Sequence, residues 1–212
     1  MLPFWFALSE PERTLFLEGT RLVRYAAGDN VHGNKGGCLG TILVQHGGLR
    51  VYMLSDEGRE ITLYRLHAGD VCVLSASCVL DNISFDVHID SEGDSEVWLT
   101  WPETFARLQA QNLQVENFAY KVAADRFSDV MWAMQQILFM SFDRRLATFL
   151  LEEADRGGGD TVQLTQEQIA RYLGSAREVV SRMMKYFASE GLVEPFRGGV
   201  RILDRRRLMQ LL

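Results

Sequence analysis

The sequence is poor in cysteine and histidine, and it lacks any long run of apolar residues. Its three cysteines among 212 residues are an odd number, which argues against a disulfide framework and favours a reducing compartment, so we expect a cytoplasmic protein. No apolar run is long enough to span a bilayer, and the N-terminus lacks the basic-then-apolar layout of a signal peptide. We therefore expect no membrane partner.

Recognisable catalytic motifs are also absent. The sequence contains no glycine-rich phosphate loop, no nucleophile elbow and no H-E-x-x-H motif. The four histidines are scattered singly, whereas a cupin-type metal enzyme needs clustered ligands. The acidic residues Asp56, Glu57 and Glu60 are interpreted as a solvated turn. We therefore expect no enzyme activity and no metal site, and the sequence names no cofactor.

The net charge of −6 is unevenly distributed along the chain. Residues 1–140 hold 10 Lys+Arg and 18 Asp+Glu, a balance of −8, whereas residues 141–212 hold 12 and 10, a balance of +2. The local distribution of charge matters more for nucleic-acid binding than the sum. The C-terminal third is therefore the candidate DNA-binding part.

Residues 162–193 predict two short helices joined by a tight turn. Thr165 and Gln168 form a capping box for the first helix, and Gly174 ends it. Ser175 and Glu178 repeat the capping pattern, so the second helix is predicted to begin at Ser175. In the second helix the apolar residues recur at helical spacing and predict a buried stripe: Val180, Met183, Met184 and Phe187.

The opposite side of the second helix carries residues that can read base edges. Arg can bond guanine through two hydrogen bonds, Glu can accept from cytosine, Ser can serve either base, and Lys can hold a phosphate. The predicted DNA-binding residues are Thr165, Ser175, Arg177, Glu178, Ser181, Arg182 and Lys185. A β-hairpin follows, with strands Leu192–Phe196 and Val200–Ile202 and a turn at Gly198-Gly199, and it predicts a wing.

These residues resemble the DNA-binding domain of the cyclic-AMP receptor protein and fumarate–nitrate regulator (CRP/FNR) superfamily. The core Ser-x-Arg-Glu-x-Val-Ser-Arg of the second helix carries the likeness most specifically, and the stretch from Phe142 to Leu151 resembles the helix that leads into that domain. The resemblance implies a transcription regulator that binds an inverted repeat with TGA-like half-sites. It also implies RNA polymerase as a partner, if the protein is an activator.

The fold predicted for the whole chain is α+β. Short alternating strands such as Leu49–Met53 and Ile61–Tyr64 indicate a β-roll or jelly roll over residues 1–101. Gly- and Asp-rich turns separate the strands, and the turns at Gly28-Asp29 and Gly69-Asp70 resemble those of cyclic-nucleotide-binding domains. Residues 142–212 form the winged helix-turn-helix. The N-terminal half is predicted to contain strands only.

A long central helix is expected over residues 102–141. It carries more apolar surface than one small domain covers, so it is either a buried helix of one domain or, as we favour, a parallel homodimer seam. The resemblance to the CRP/FNR superfamily implies the same, because its members dimerise through this helix. The apolar positions considered for the seam are Phe118, Val122, Phe127, Met131, Met134 and Leu138.

Three cysteines in the predicted roll allow several interpretations of what the roll senses. Cys72 and Cys78 flank a bend of small residues, and Cys38 lies elsewhere in the roll. A redox switch or a ligand site competes with the interpretation that they are buried apolar residues. An iron–sulfur cluster needs four ligands, and the N-terminal cysteines that would supply them are absent. Haem ligation by a cysteine or by His32, His46, His67 or His88 is a further alternative, although the C-x-x-C-H attachment motif is absent. A second hypothesis keeps the roll as a small-molecule or metal-binding protein whose helical domain serves protein interaction.

Cyclic AMP is predicted to have no effect. Nucleotide-binding members of the family hold the ribose with a Glu and neutralise the phosphate with an Arg, whereas Val73 and Ile83 stand in the corresponding stretch here. A buried phosphate without its cation is unfavourable. Calorimetry with millimolar nucleotide should show no saturable heat. A ligand at a hundred times its dissociation constant would stabilise the fold by about 2.7 kcal/mol, which a thermal unfolding measurement would reveal.

Overall fold

The computed structural model describes residues 2–33, 39–73 and 87–212, and the chain divides into two compact units. The first unit comprises residues 1–53 and 63–131, and the second comprises residues 54–62 and 132–212. In these described ranges, no helix combines the length and the apolar character needed to cross a membrane. The three-part division predicted from the sequence stays a prediction.

The first unit is built around two β-sheets whose strands follow in the orders β1-β8-β3-β6 and β2-β7-β4-β5. Alternate residues of the strands face inward, and Ile42, Leu49, Ile89 and Leu99 are fully buried between the sheets. The described strands are β1 (Thr20–Tyr25), β2 (Asn30–His32), β3 (Thr41–His46), β4 (Gly48–Leu54), β5 (Glu60–His67), β6 (Val71–Cys72), β7 (His88–Ser91) and β8 (Ser95–Thr100).

The strands of the N-terminal half and the glycine turns between them follow the prediction. The runs Leu49–Met53 and Ile61–Tyr64 lie within β4 and β5. Positive φ angles occur at Gly28 and Gly69, as well as in the two turns between β3 and β5. Glycine reaches this region without the penalty that a Cβ imposes, so composition predicted these turns correctly.

The N-terminal half also contains helix, which the prediction of strands alone missed. A 3-10 turn covers Trp5–Ala7, and helix α1 covers Glu10–Glu18. Ser9 and Glu12 form a capping box at the start of α1. Phe4 and Phe16 pack edge to face, with 5.9 Å between ring centroids, in a small apolar cluster of this unit.

The predicted central helix is broken at Asn112 and again before Phe142. The observed helices are α2 (Pro102–Gln111), α3 (Leu113–Phe139) and α4 (Phe142–Arg156). Asn112 has an extended backbone, and its side-chain amide donates to the Ala7 carbonyl at 3.1 Å. This hydrogen bond holds the first break against the N-terminal segment.

The second unit is helical, with a small sheet beside it. It contains α4, α5 (Gln166–Leu173), α6 (Arg177–Ser189), α7 (Arg205–Met209), β9 (Thr161–Val162), β10 (Val193–Phe196) and β11 (Gly199–Ile202). The sheet has the order β10-β11-β9, and the pairing of β9 with β11 was not predicted. A single apolar core joins α4, α5, α6 and the sheet. It includes the fully buried residues Leu146, Leu150, Ile169, Met184 and Phe187.

The hairpin turn lies one residue earlier than predicted. Phe196 pairs with Gly199, so Arg197 and Gly198 form the two-residue turn, not Gly198 and Gly199. Gly198 has a φ of 87°, the positive value that a type II turn requires at its second central residue. Gly199 lies in β11, where a Cβ would come within 2.6 Å of the Val162 carbonyl oxygen, so this strand position requires glycine.

We predict that the turn between β3 and β4 tolerates no side chain. Gly47 has a φ of 82°, and a Cβ there would come within 2.3 Å of the Ser95 Oγ and 2.6 Å of the Asp94 carbonyl. Gly28 has nearly the same φ, 85°, but open space around it. Gly28→Ala should cost about 1–2 kcal/mol of unfolding free energy from backbone strain alone, and Gly47→Ala should cost clearly more. Urea denaturation measures both, and equal losses would contradict the prediction.

Candidate nucleic-acid interface

Helix α5 begins with the capping box that the sequence predicted. The Thr165 N–H donates to the Gln168 Oε1 at 2.8 Å, and the Gln168 N–H donates to the Thr165 Oγ1 at 3.2 Å. Two otherwise unpaired donors at the helix N-terminus are thereby satisfied. Ile169 and Leu173 are buried on the inner side, so the helix presents its other side to solvent.

The turn after α5 is tight, and it corrects the predicted start of the second helix. Gly174 adopts the left-handed conformation, with a φ of 58°. The Ser175 N–H donates to the Ala170 carbonyl at 2.9 Å, which closes the end of α5. Ser175 therefore belongs to the turn. The residue that precedes α6 is Ala176, whose side chain cannot cap, so the capping box predicted for Ser175 and Glu178 is wrong.

Helix α6 separates an apolar stripe from a polar face. Val180, Met184 and Phe187 are buried and the partly buried Met183 packs against the same core, as the periodicity predicted. On the other side, Ser181 is half-buried. The remaining polar residues of this face are exposed: Arg177, Glu178, Arg182 and Lys185. Burial of the stripe fixes which side chains face solvent.

The N-terminal ends of α5 and α6 and the turn of the wing meet around one hollow. Thr165, Arg177 and Gly198 line a hollow of about 390 Å³. Arg197 is exposed at the wing turn, whereas Arg201 lies 3.3 Å from Glu194 on the neighbouring strand. A concave surface with arginine at its edge and a helix N-terminus beside it suits an anionic backbone.

Two arginines hold the C-terminal carbonyls of α5. An Nη2 of Arg145 donates to the Leu173 carbonyl, and an Nη2 of Arg59 donates to the Gly174 carbonyl. The last carbonyls of a helix have no intrahelical partner and carry partial negative charge, so cations stabilise them. Burial, and then the nearby charge of Arg59, lowers the pKa of Arg145. This pair fixes the turn that orients α6.

Arg59 belongs to a segment that sequence reasoning assigned to solvent. Gly58, Arg59 and Glu60 share a hollow of about 460 Å³ with Ser175 of the turn and Arg177 at the start of α6. Glu60 is half-buried at the start of β5, so its interpretation as part of a solvated turn is wrong, although Asp56 and Glu57 are exposed. Arg59 and Gly174 are 115 positions apart, and no local pattern in the sequence signals their contact.

Of the three cysteines, only Cys72 falls within the described residues. It is fully buried in the core of the first unit, and its Sγ lies 3.8 Å from the Tyr64 Oη. Burial, followed by the proximity of Cys72, raises the pKa of Tyr64 well above its usual value. Cys38 and Cys78 lie outside the described residues, so their pairing with Cys72 stays untested. Across the described ranges, no three His, Cys, Asp or Glu side chains group as metal ligands do.

Residues 144–211 match the family of Crp-like helix-turn-helix domains. The crystal structure of a transcriptional regulator assigned to the CRP/FNR family from Eubacterium rectale ATCC 33656 is 43% identical in sequence, with a TM-score of 0.95. The similarity covers 99% of this chain and 97% of that one. It therefore extends over both units and not only over the C-terminal domain.

Curated regulators from other bacteria are more distant. The nitrogen fixation regulation protein FixK of Bradyrhizobium diazoefficiens is 26% identical over 198 residues, which are 90% of this chain and 81% of that protein. The cyclic AMP receptor protein of Thermus thermophilus is 24% identical over 169 residues, or 80% of this chain and 77% of that protein. The predicted resemblance is thereby confirmed.

We predict that the hydrogen bond from Arg145 to the Leu173 carbonyl stabilises the turn. Arg145→Met keeps the length of the side chain but leaves the Leu173 carbonyl without that donor, so it should lower the unfolding free energy by about 1–2 kcal/mol. Arg144→Met is the matched control, because Arg144 is exposed and adjacent on the same helix. Chemical denaturation followed by circular dichroism measures both. A loss at Arg144 as large as that at Arg145 would contradict the role of the hydrogen bond.

Proposed function

Because the chain belongs to the CRP/FNR family of transcription regulators, we propose that it binds a palindromic DNA site as a homodimer in the cytoplasm. A small effector or redox state sensed in the β-roll controls this binding, and cyclic AMP does not. The matched relatives are transcription regulators, and a role without catalysis is part of the proposal. The observation that carries it is the exposed polar face of α6.

We assign recognition of the DNA sequence to the middle of the exposed polar face of α6. Arg182 is exposed one turn after Glu178, and Ser181 lies beside it. An arginine in the major groove can form two hydrogen bonds to the O6 and N7 of guanine, and a glutamate can accept from the N4 of cytosine. Arg177, at the start of the helix, supplies a second basic group that can reach a base edge. Direct readout therefore uses Arg177, Glu178, Ser181 and Arg182.

Phosphate binding is assigned to the ends of the same surface. Lys185 is exposed further along α6, and its flexible ammonium suits a phosphate better than a base edge. Thr165 stands at the N-terminus of α5, where backbone N–H groups and the helix dipole favour an anion. Ser175, in the turn before α6, offers a hydroxyl close to the hollow that Arg177 lines.

A stripe along α3 supports the homodimer. The exposed residues of the stripe follow one another at alternating steps of four and three, the spacing of a two-stranded coiled coil. Phe118 instead packs against the core of its own unit, and Val122 is half-buried, so the proposed seam omits these two residues of the predicted one. The seam comprises Leu113, Asn117, Tyr120, Ala124, Phe127, Met131, Met134 and Leu138.

The composition of the stripe favours a specific pairing. Phe127 and Leu138 are 65% and 64% exposed in the single chain, and a continuous apolar stripe of this length marks an interaction surface. Asn117 is the one polar residue in the stripe, and a single buried asparagine at such a position sets register and oligomeric state. A second copy of the same helix meets both requirements.

The proposal for the effector excludes cyclic AMP and names no other molecule. Val73, which stands in the stretch where nucleotide-binding members carry a glutamate, is buried, and Ile83 lies outside the described residues. This supports an effector other than cyclic AMP, although one relative bears the name cyclic AMP receptor protein. RNA polymerase is a partner if the protein activates transcription. A redox role for Cys72 with Cys78 or Cys38 stays a prediction from the sequence.

Two variants separate base reading from phosphate binding. Arg182→Ala should weaken binding to the specific DNA site by about 1–3 kcal/mol, with a much smaller effect on random DNA. Lys185→Ala should weaken binding to all sequences alike and lower the slope of log affinity against log salt by about one. Fluorescence anisotropy at several salt concentrations measures both effects. If the two variants behave identically, the assignment of roles along α6 is wrong.

A substitution in the α3 stripe should separate the subunits. Phe127→Lys places a charge in the proposed seam, so it should convert a dimer to a monomer at micromolar concentration in sedimentation velocity. Asp125→Lys is the control, because a helix turns by about 100° per residue and Asp125 therefore lies on the opposite side. Circular dichroism should show unchanged helix content in both. A dimeric Phe127→Lys, or a monomeric wild type, would overturn the proposed seam.

A further inference from the structure

An apolar cavity lies in the first unit, on the outer face of the sheet β1-β8-β3-β6. Its volume is about 460 Å³, within the range of roughly 300–1,000 Å³ typical of small-molecule sites. The N-terminal segment, α1 and the starts of α2 and α3 form its other walls. Six aromatic side chains line it: Phe4, Trp5, Phe16, Trp98, Phe105 and Phe118.

The cavity is separate from the interior of the β-roll. Successive residues of a strand point to opposite faces, and Ile42 and Leu99 point into the core between the two sheets. Thr41 and Leu43, on the other face of β3, line the cavity. The cavity therefore lies on the far side of the sheet from Cys72 and from the core in which it is buried.

Three threonines form one polar row at the wall of this apolar space. Thr100 on β8 pairs in register with Thr20 on β1 and with Thr41 on β3, and all three line the cavity. The hydroxyls of Thr20 and Thr100 lie 2.9 Å apart and satisfy each other. The Thr41 Oγ1 is buried and has no hydrogen-bond partner among the described residues. A buried hydroxyl without a partner is unfavourable, and a bound polar group that pairs with it would remove this cost.

The chemistry of the walls restricts what can bind there. None of the described residues that line the cavity is charged, so an ionised ligand would lose its hydration without gaining a counter-charge. Aromatic rings favour a flat aromatic partner through stacking and edge-to-face contacts. We propose that the cavity binds a small, neutral aromatic molecule whose single hydroxyl or carbonyl group hydrogen-bonds to Thr41.

Three related probes test the class of ligand on the full chain. 1-Naphthol has an aromatic body and a hydroxyl, naphthalene lacks the hydroxyl, and 1-naphthoate carries a charge. Calorimetry should show saturable binding of 1-naphthol, with naphthalene weaker by about tenfold and 1-naphthoate weaker still. Absence of saturable 1-naphthol binding, or an affinity order led by 1-naphthoate, would overturn the proposal.

Variants of Thr41 test the hydrogen bond. Thr41→Val keeps the shape but removes the hydroxyl, so it should weaken 1-naphthol by about tenfold, leave naphthalene unchanged and raise the melting temperature of the ligand-free protein. Thr41→Ser should retain 1-naphthol binding. If Thr41→Val binds 1-naphthol as the wild type does, the hydroxyl is not part of a site.

A filling variant tests the location. Leu43→Trp should abolish binding of both 1-naphthol and naphthalene, because the larger side chain occupies the cavity. Leu22→Trp is the matched control: Leu22 and Leu43 both pair with Trp98, from opposite sides, and Leu22 is already 37% exposed. Binding that survives Leu43→Trp would refute a small-molecule site in this cavity. A changed sedimentation coefficient of the ligand-free variant would also refute it, because this face would then be a contact between copies of the protein. All these readouts are independent of DNA binding, so they can fail while the proposed function holds.

Discussion

The left-handed backbone of Gly174 sets how α6 leaves α5, and the rest of the candidate interface depends on it. At a φ of 58° a side chain would be strained, and a Cβ would also press within 3.2 Å of the Ile61 Cγ1. Arg145 and Arg59 hold the carbonyls on either side of this turn. With the turn fixed, Val180 and Phe187 enter the core, and the polar face of α6 is necessarily left outside.

Helix α3 has one face buried in its own unit and another that is apolar and exposed. On one side Val115 and Ala119 are fully buried in the first unit, and on the other the apolar stripe that includes Phe127 is exposed. In water an apolar stripe on an isolated chain is unfavourable, and burying it against a second copy would recover that free energy. Dimerisation of this kind would couple two recognition helices, which is what a palindromic site requires.

Features encoded by neighbouring residues could be predicted, and features made by distant residues could not. The capping box at Thr165, the end of α5 at Gly174 and the buried stripe of α6 each depend on residues within one or two helical turns. The sequence misplaces the start of α6, because Ser175 has the side chain of a helix cap, whereas its N–H closes α5 instead. The contact of Arg59 with Gly174 arises only in the folded chain, so composition and spacing carry no signal for it.

Selection of DNA by the full-length protein tests the central claim most directly. A pool of random duplexes would be incubated with the purified protein, and the bound fraction would be recovered, amplified and sequenced. A homodimer that reads DNA through α6 should enrich inverted repeats whose half-site centres lie about 34 Å, or one helical turn, apart. Enrichment of single, unpaired half-sites would contradict the dimer, and the absence of any enriched sequence would contradict base reading by α6.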